Sequence, residues 1–249
     1  MSWWKSEQKA AVYPRSIKRY FELQDASIPV EKETNYGRYV KERFASMFKD
    51  RPYRYVRDPV RSPLPIDVVV FMPTPEEPIY VLHTVGISDV ALALQAETER
   101  TETLKFTEIC MLLPANWPFP EGEWEIDADY AWPIWLAMEL GHFFHSHLGW
   151  ILYSTALSNS ESEDSFSVRN RFSGIMLAQF QGSLGEIKMP DGNKVDIFIP
   201  ILLYPEEIAL MDTHGAEWVA DQVLMANHNS FIINENRKSI GKIQKEEPR

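Results

Sequence analysis

Apolar residues near the start of the chain recur at three- and four-residue spacing. They then form short unbroken β-branched runs through the middle and return to helical spacing towards the end. The first pattern predicts a helix from about Pro14 through Ile17, Tyr20 and Phe21 to the break at Pro29, with proline suited to the first turn. A second helix follows, its stripe made by Tyr36, Tyr39, Val40, Phe44, Met47 and Phe48. Between Arg51 and Pro65, prolines and arginines predict a connection, because proline removes amide donors and pushes the preceding residue out of the helical region.

The β-branched runs Ile66–Phe71 and Ile79–Thr84 read as strands. The prolines between them predict a hairpin, and Phe106–Leu113 is a third strand. Trp132-Pro133 opens a helix in which Ala137, Leu140 and Phe144 share a face. Residues 150–154 and 174–180 read as further strands, separated by a polar loop at 158–165. Val195–Tyr204 is almost continuously apolar, as expected of a strand buried on both faces at the centre of a sheet, provided that Pro200 falls at a bulge or an unpaired amide position. Pro205-Glu206-Glu207 begins a helix that Gly215 ends, and a last helix runs from Ala216 through Val219 and Val223 to Ala226.

With 249 residues and 45% hydrophobic residues the chain can bury a large core, and no repeat or low-complexity linker divides it. The expected organisation is a helical segment at 1–50 packed on a domain at 51–233, with a flexible tail at 234–249. Charge is unevenly spread. Residues 1–62 hold 14 Lys/Arg and 8 Asp/Glu, net +6, whereas residues 63–233 hold 6 and 25, net −19. Such a body repels nucleic acid and anionic membranes and attracts a cationic partner. A single cysteine, Cys110, excludes an intrachain disulfide framework. With no signal-peptide core and no run long enough to span a bilayer, a cytoplasmic, soluble protein is expected.

Candidate chemistry is sparse. His142, His145 and His147 lie within six residues, but at about 100° per residue His147 points away from His142, so the three converge on a metal only if the helix ends first. His83, Ser88 and Asp89 have the side-chain types of a hydrolase triad. Gly86 precedes the serine at the spacing of a nucleophile elbow, yet position 90 is valine, and a glycine turn with a capping Ser or Asp accounts for the same residues. Cys110, between Ile109 and Met111 and on the face of Glu108, reads as core. No cofactor and no metal is expected. Trp3 and Trp4 are either docked on the domain or part of an interaction site.

Four ordered motifs remain: His83-Thr84-Val85-Gly86-Ile87-Ser88-Asp89, Thr107-Glu108-Ile109-Cys110-Met111, Trp132-Pro133-Ile134-Trp135, and Ile199-Pro200-Ile201 with Tyr204-Pro205-Glu206-Glu207. Together they resemble the suppressor-of-fused (SUFU) domain, over roughly Arg51 to Asn227, with Ile87 where the family has methionine. The resemblance implies an α+β fold, a mixed, mainly antiparallel sheet flanked by helices, with no catalytic apparatus. Animal members are two-domain proteins that bind Gli transcription factors, and a single domain of this length resembles the bacterial branch, many of whose members are inferred to be immunity proteins or antitoxins.

That implies a non-enzymatic binding protein whose partner is a cationic toxin domain, possibly a basic nuclease. Binding by addition of an extended peptide would fall at Ile79–Thr84, Gly86–Asp89 and Val195–Leu203. The residues expected at the partner site are His83, Thr84, Gly86, Ser88, Asp89, Glu108, Tyr204, Glu206 and Glu207. Two alternatives stay open, a metal enzyme built on the histidine cluster and a SUFU-like scaffold with no toxin, and the oligomeric state is left undetermined.

Overall fold

A computed structural model describes residues 32–59, 64–92, 105–125, 128–145, 156–159, 164–180 and 182–241. The helix expected at 14–29, the strand at 150–154, Trp3, Trp4 and His147 lie outside them. Among the described residues eight strands form one mixed sheet: β1 (Tyr53–Val56), β2 (Asp67–Phe71), β3 (Ile79–Val85), β4 (Phe106–Pro114), β5 (Leu157–Ser158), β6 (Gly174–Gln179), β7 (Glu186–Lys188) and β8 (Lys194–Leu203). Their order is β1-β2-β3-β4-β8-β6-β5, with β7 also on β8, and the one parallel pair is β4 with β8. The helices among the described residues are α1 (Tyr36–Met47), α2 (Trp132–His145), α3 (Pro205–His214) and α4 (Ala216–Ala226).

The period of two along the strands sorts their side chains between two faces. Val69 and Phe71 join Val40 and Phe44 of α1 in one cluster with Val81, Phe106 and Cys110. Val68 and Val70 join Leu136 and Leu140 of α2 in the other, with Leu82, Ile109 and Met111. Val68-Val69-Val70-Phe71 is therefore unbroken apolar sequence because helices cover both faces. Towards the other edge, α4 contributes Val219 and Val223 to a third cluster with Met176, Ile201 and Leu203. Helix α2, covered almost all round, buries eleven of its fourteen residues.

Pro200 sits where β8 tolerates it. Phe180 donates its N–H to the Ile197 carbonyl, so Ile197, Ile199 and Ile201 face β6 with their peptide groups, and Pro200 faces the other edge. On that edge β4 pairs only with Val195–Phe198 and then diverges, so no amide is missed at Pro200. The gap between β4 and the end of β8 is filled by the C-terminal segment, where Ile232 bridges Leu112 and Ile233 donates to the Leu112 carbonyl.

Two expectations need correction. The Arg51–Pro65 stretch is not wholly connection: Tyr53–Val56 is an edge strand, a position that accepts prolines just outside it. In the segment 234–241, expected as flexible tail, Arg237, Ser239 and Ile240 are buried. Arg237 is 7% exposed, and its guanidinium forms a bidentate pair with the fully buried Glu207 at 2.6 and 2.5 Å and donates to the Leu202 carbonyl at 2.7 Å. The Tyr204 hydroxyl holds the Arg237 carbonyl at 2.7 Å, and the guanidinium lies 4.6 Å from the Tyr204 ring centroid. A sequence rich in Lys, Glu and Arg looks solvated, and nothing local marks one of its arginines as the counter-ion of a carboxylate thirty residues earlier.

Breaking this pair leaves Glu207 charged and buried, so Arg237→Ala should destabilise the fold by about 3–5 kcal/mol. Urea denaturation measures it, and loss of less than about 1 kcal/mol would mean that the segment is dispensable.

Candidate functional site

A dense polar constellation joins the turn after β3 to the adjoining strand β4. Glu108 is fully buried. Its Oε1 accepts the Ser88 hydroxyl at 2.6 Å and the backbone N–H groups of Gly86 and Ser88 at 3.0 Å each, while Oε2 accepts the Thr84 hydroxyl at 2.6 Å. Thr84 Oγ1 in turn accepts the Ile109 N–H at 2.8 Å. Burial pushes the carboxyl above the usual carboxylate range, and the bonds from Ser88, Thr84 and Gly86 oppose that shift.

Gly86 makes the turn possible. Its φ is +126°, and a Cβ there would stand 2.5 Å from the Pro65 carbonyl oxygen. Beside it, Asp89 accepts the Gly37 N–H at 2.9 Å and pairs with Lys32 at 2.7 Å, anchoring the start of α1. A Cβ on Gly37 would lie 2.7 Å from the Gly86 nitrogen, so the helix reaches the turn backbone to backbone.

The residues expected to contact a partner are thus mostly inside. His83, Thr84, Ser88, Glu108, Tyr204 and Glu207 are buried, and Thr84, Gly86, Ser88 and Glu108 are brought together by one another. Tyr204 and Glu207 form a second, separate assembly, a capping box in which Glu207 accepts the Tyr204 N–H at 2.9 Å. Glu206 remains at the surface, paired with Arg171 at 3.3 Å, and Asp89 is nearly covered. Strands β3 and β8 are not open edges either. Strand β3 is paired on both sides, and β8 lies between β4 and β6. The motif spacing signalled buried contacts between neighbouring strands, and Arg237, the residue missed, sent no local signal.

Among the described residues, the members of the candidate catalytic sets have other partners. The His83 ring stacks 4.1 Å from Phe44, with Nδ1 against the Thr84 carbonyl, while Ser88 donates to Glu108. Cys110 lies inside the sheet opposite His83, and burial pushes its thiol up to about 12, far from a thiolate nucleophile. His142 reaches Asp58 at 2.7 Å, and His145 reaches the Ile87 carbonyl at 3.0 Å. No group of three or more His, Cys, Asp or Glu side chains is arranged to hold a metal among the described residues.

The surface differs sharply from end to end. From Val195 to Asn236 the sequence contains no Lys or Arg. On the hairpin of α3 and α4, Asp212, Glu217 and Asp221 are exposed beside Met225, which is 61% exposed. Strand β1 and helix α1 carry Lys41, Arg43 and Arg54, with Arg57 just after β1, and the segment that holds Arg54 exposes Glu121, Glu123 and Glu125.

A mixed sheet with helices on both faces, with a buried carboxylate tying the turn after β3 to β4, makes an α+β domain. The family model described as suppressor of fused protein (SUFU) matches residues 62–238, and the chain belongs to that family. A SUFU homologue from Neisseria gonorrhoeae superimposes with a TM-score of 0.58 at 13% identity, covering 82% of this chain and 96% of that one. A chain of the Sufu–Fu complex gives 0.59 at 14%, covering 87% and 96%. Drosophila Suppressor of Fused gives 0.58 at 16% and covers 89% of this chain, which spans 55% of that protein. At such identities the superpositions speak for the fold. No curated protein matches the chain by sequence.

Two measurements probe the buried site. In Glu108→Gln the amide can donate to Thr84 while its oxygen keeps the turn donors, so the loss should stay near 1–2 kcal/mol, whereas Glu108→Ala strands the donors and should exceed about 4 kcal/mol. Equal losses in urea denaturation would refute the tie. Burial also pushes the His83 imidazole down to about 4, and its Nε2 has no hydrogen-bond partner among the described residues. The unfolded chain therefore takes up a proton as pH falls through 6.5 while the folded chain does not, which removes up to about 3 kcal/mol by pH 4. His83→Phe should flatten the stability profile over that window, and profiles parallel to wild type would rule this out.

Proposed function

We propose that the chain is a non-enzymatic, stoichiometric protein-binding domain of the immunity or antitoxin kind, which neutralises a cationic toxin domain by covering it. The observation that carries this reading is the acidic α3–α4 hairpin. Asp212, Glu217 and Asp221 are exposed in a stretch without a single Lys or Arg, and the partly exposed Leu210 and Trp218 and the exposed Met225 supply apolar contact between them. Charge of one sign with an apolar centre accelerates encounter with a basic surface and retains it by burial.

Family membership supports a binding role, since one similar structure is of a Sufu–Fu complex. Of the residues proposed from the motifs, Glu206 on α3 borders this face and takes part, while the buried Thr84, Gly86, Ser88 and Glu108 act by holding the domain in shape.

The test is capture from the native cell followed by kinetics. A basic toxin domain should co-purify at one-to-one stoichiometry, with an association rate that falls as salt rises. The triple substitution Asp212→Lys, Glu217→Lys and Asp221→Lys should slow association by about tenfold or more at low salt. An acidic partner, or an association rate untouched by the reversal, would sink the proposal.

A further inference from the structure

A half-open cleft of about 430 Å³ lies between the loop that follows β4 and the segment that follows α4. Its volume is in the range of small-molecule sites. Pro114, Trp117 and Pro118 line it from the loop, and Ile232 and Ile233 line it from the segment that returns to Leu112. The turn between α4 and that segment has a costly backbone: His228 and Asn229 have φ of +56° and +55°, and neither is glycine. Asn227 holds the turn by donating to the Ser230 and Ile232 carbonyls at 2.6 and 2.9 Å.

Charge in the cleft is balanced. Among the described residues its lining holds one Arg, one Glu and no Lys or Asp, and Arg169 and Glu235 pair with each other at 3.0 Å. The Arg169 guanidinium also lies 5.7 Å from the Trp117 ring centroid, so it is fixed from two directions. Glu235 has no oxygen to spare. One accepts Trp132 Nε1 at 2.9 Å and the Asn170 amide at 3.5 Å, and the other accepts Arg169. A cation therefore meets no free carboxylate, and a polyanion meets no excess of positive charge.

What the lining offers instead is hydrogen-bonding groups with no net charge between them. The carboxamides of Asn116 and Asn236, Nδ2 of Asn234 and two guanidinium nitrogens of Arg169 have no hydrogen-bond partner among the described residues. All three asparagines are exposed. A carboxamide presents a donor beside an acceptor, and a guanidinium presents donors side by side. Neighbouring hydroxyls on a sugar ring each donate and accept, so a pair of them matches either group, and the C–H face of the ring matches the prolines and isoleucines.

We propose that this cleft is a saccharide-binding site, which takes one or two uncharged pyranose rings by their vicinal hydroxyls. None of its residues belongs to the set proposed to meet a cationic partner, so the two readings stand or fall separately.

The test titrates the full nitrogen-15-labelled chain with maltose, lactose and N,N′-diacetylchitobiose, and with N-acetyl-Ala-Ala-Ala-amide as an uncharged peptide. At least one disaccharide should shift the side-chain amide signals of Asn116, Asn234 and Asn236 saturably. Asn116→Ala and Asn236→Ala remove exposed side chains that hold nothing else in place, so both variants should keep the thermal midpoint of the unmodified chain. Each should bind that disaccharide about fivefold or more weakly. No saturable shift with any of the three sugars, unchanged affinity in either variant, or tighter binding of the peptide than of every sugar would overturn the proposal.

Discussion

A carboxylate with no exposure to solvent is the point on which this structure turns. Removing Glu108 from water is expensive, and it is accommodated because two backbone N–H groups and two hydroxyls are aimed at it from the end of β3 and the turn that follows. The dependence runs both ways. The turn needs an acceptor for the Gly86 and Ser88 amides, which are buried beneath α1 and have no water to bond. Helix α1 then rests on the same turn through Gly37 and Asp89, and α2 touches it from the other face through His145 and the Ile87 carbonyl. One side chain thereby sets the relation of β3 and β4 to the helices on both sides of the sheet.

A similar solution recurs at the far end of the sheet. Glu207, also fully buried, is held by Arg237, by the Tyr204 amide and by the Ile240 amide at 3.0 Å, with two aromatic rings against the guanidinium. Both sites use a carboxylate to gather donors from segments distant in sequence, and both sit where a strand gives way to a turn or helix. Neither is arranged for chemistry. Every oxygen of each carboxylate is occupied, and the nearby histidines face carbonyls, aromatic rings or the Asp58 carboxylate. On the outside of the described residues the α3–α4 hairpin exposes Asp212, Glu217 and Asp221 in a stretch without Lys or Arg.

This arrangement explains why recognisable motifs in a chain need not be contact motifs. A residue type needed to satisfy a buried donor is as specific as one needed to bind a ligand, since in both cases a stranded polar group is costly. The surfaces that meet other proteins, by contrast, ask only for charge sign and some apolar area, and many sequences supply those.

Much of the architecture was legible in the sequence. The periodicity of Tyr36–Phe48 marked α1, and the β-branched runs at 66–71, 79–84, 106–113 and 195–204 marked the central strands. Pro205-Glu206-Glu207 and Gly215 marked the ends of α3, because each of these signals is local and acts through backbone conformation or burial on a fixed period. Charge segregation was legible too, as it is a property of composition. What only the tertiary structure decided were matters of long-range pairing. Tyr53–Val56 is a strand because β2 offers it an edge, and Arg237 is buried because Glu207 is. Thr84, Ser88 and Glu108 point inward because β3 and β4 lie side by side. A side chain twenty or thirty residues away leaves no periodic trace, so the same motif letters read equally well as an interface or as the hidden tie that holds the domain together.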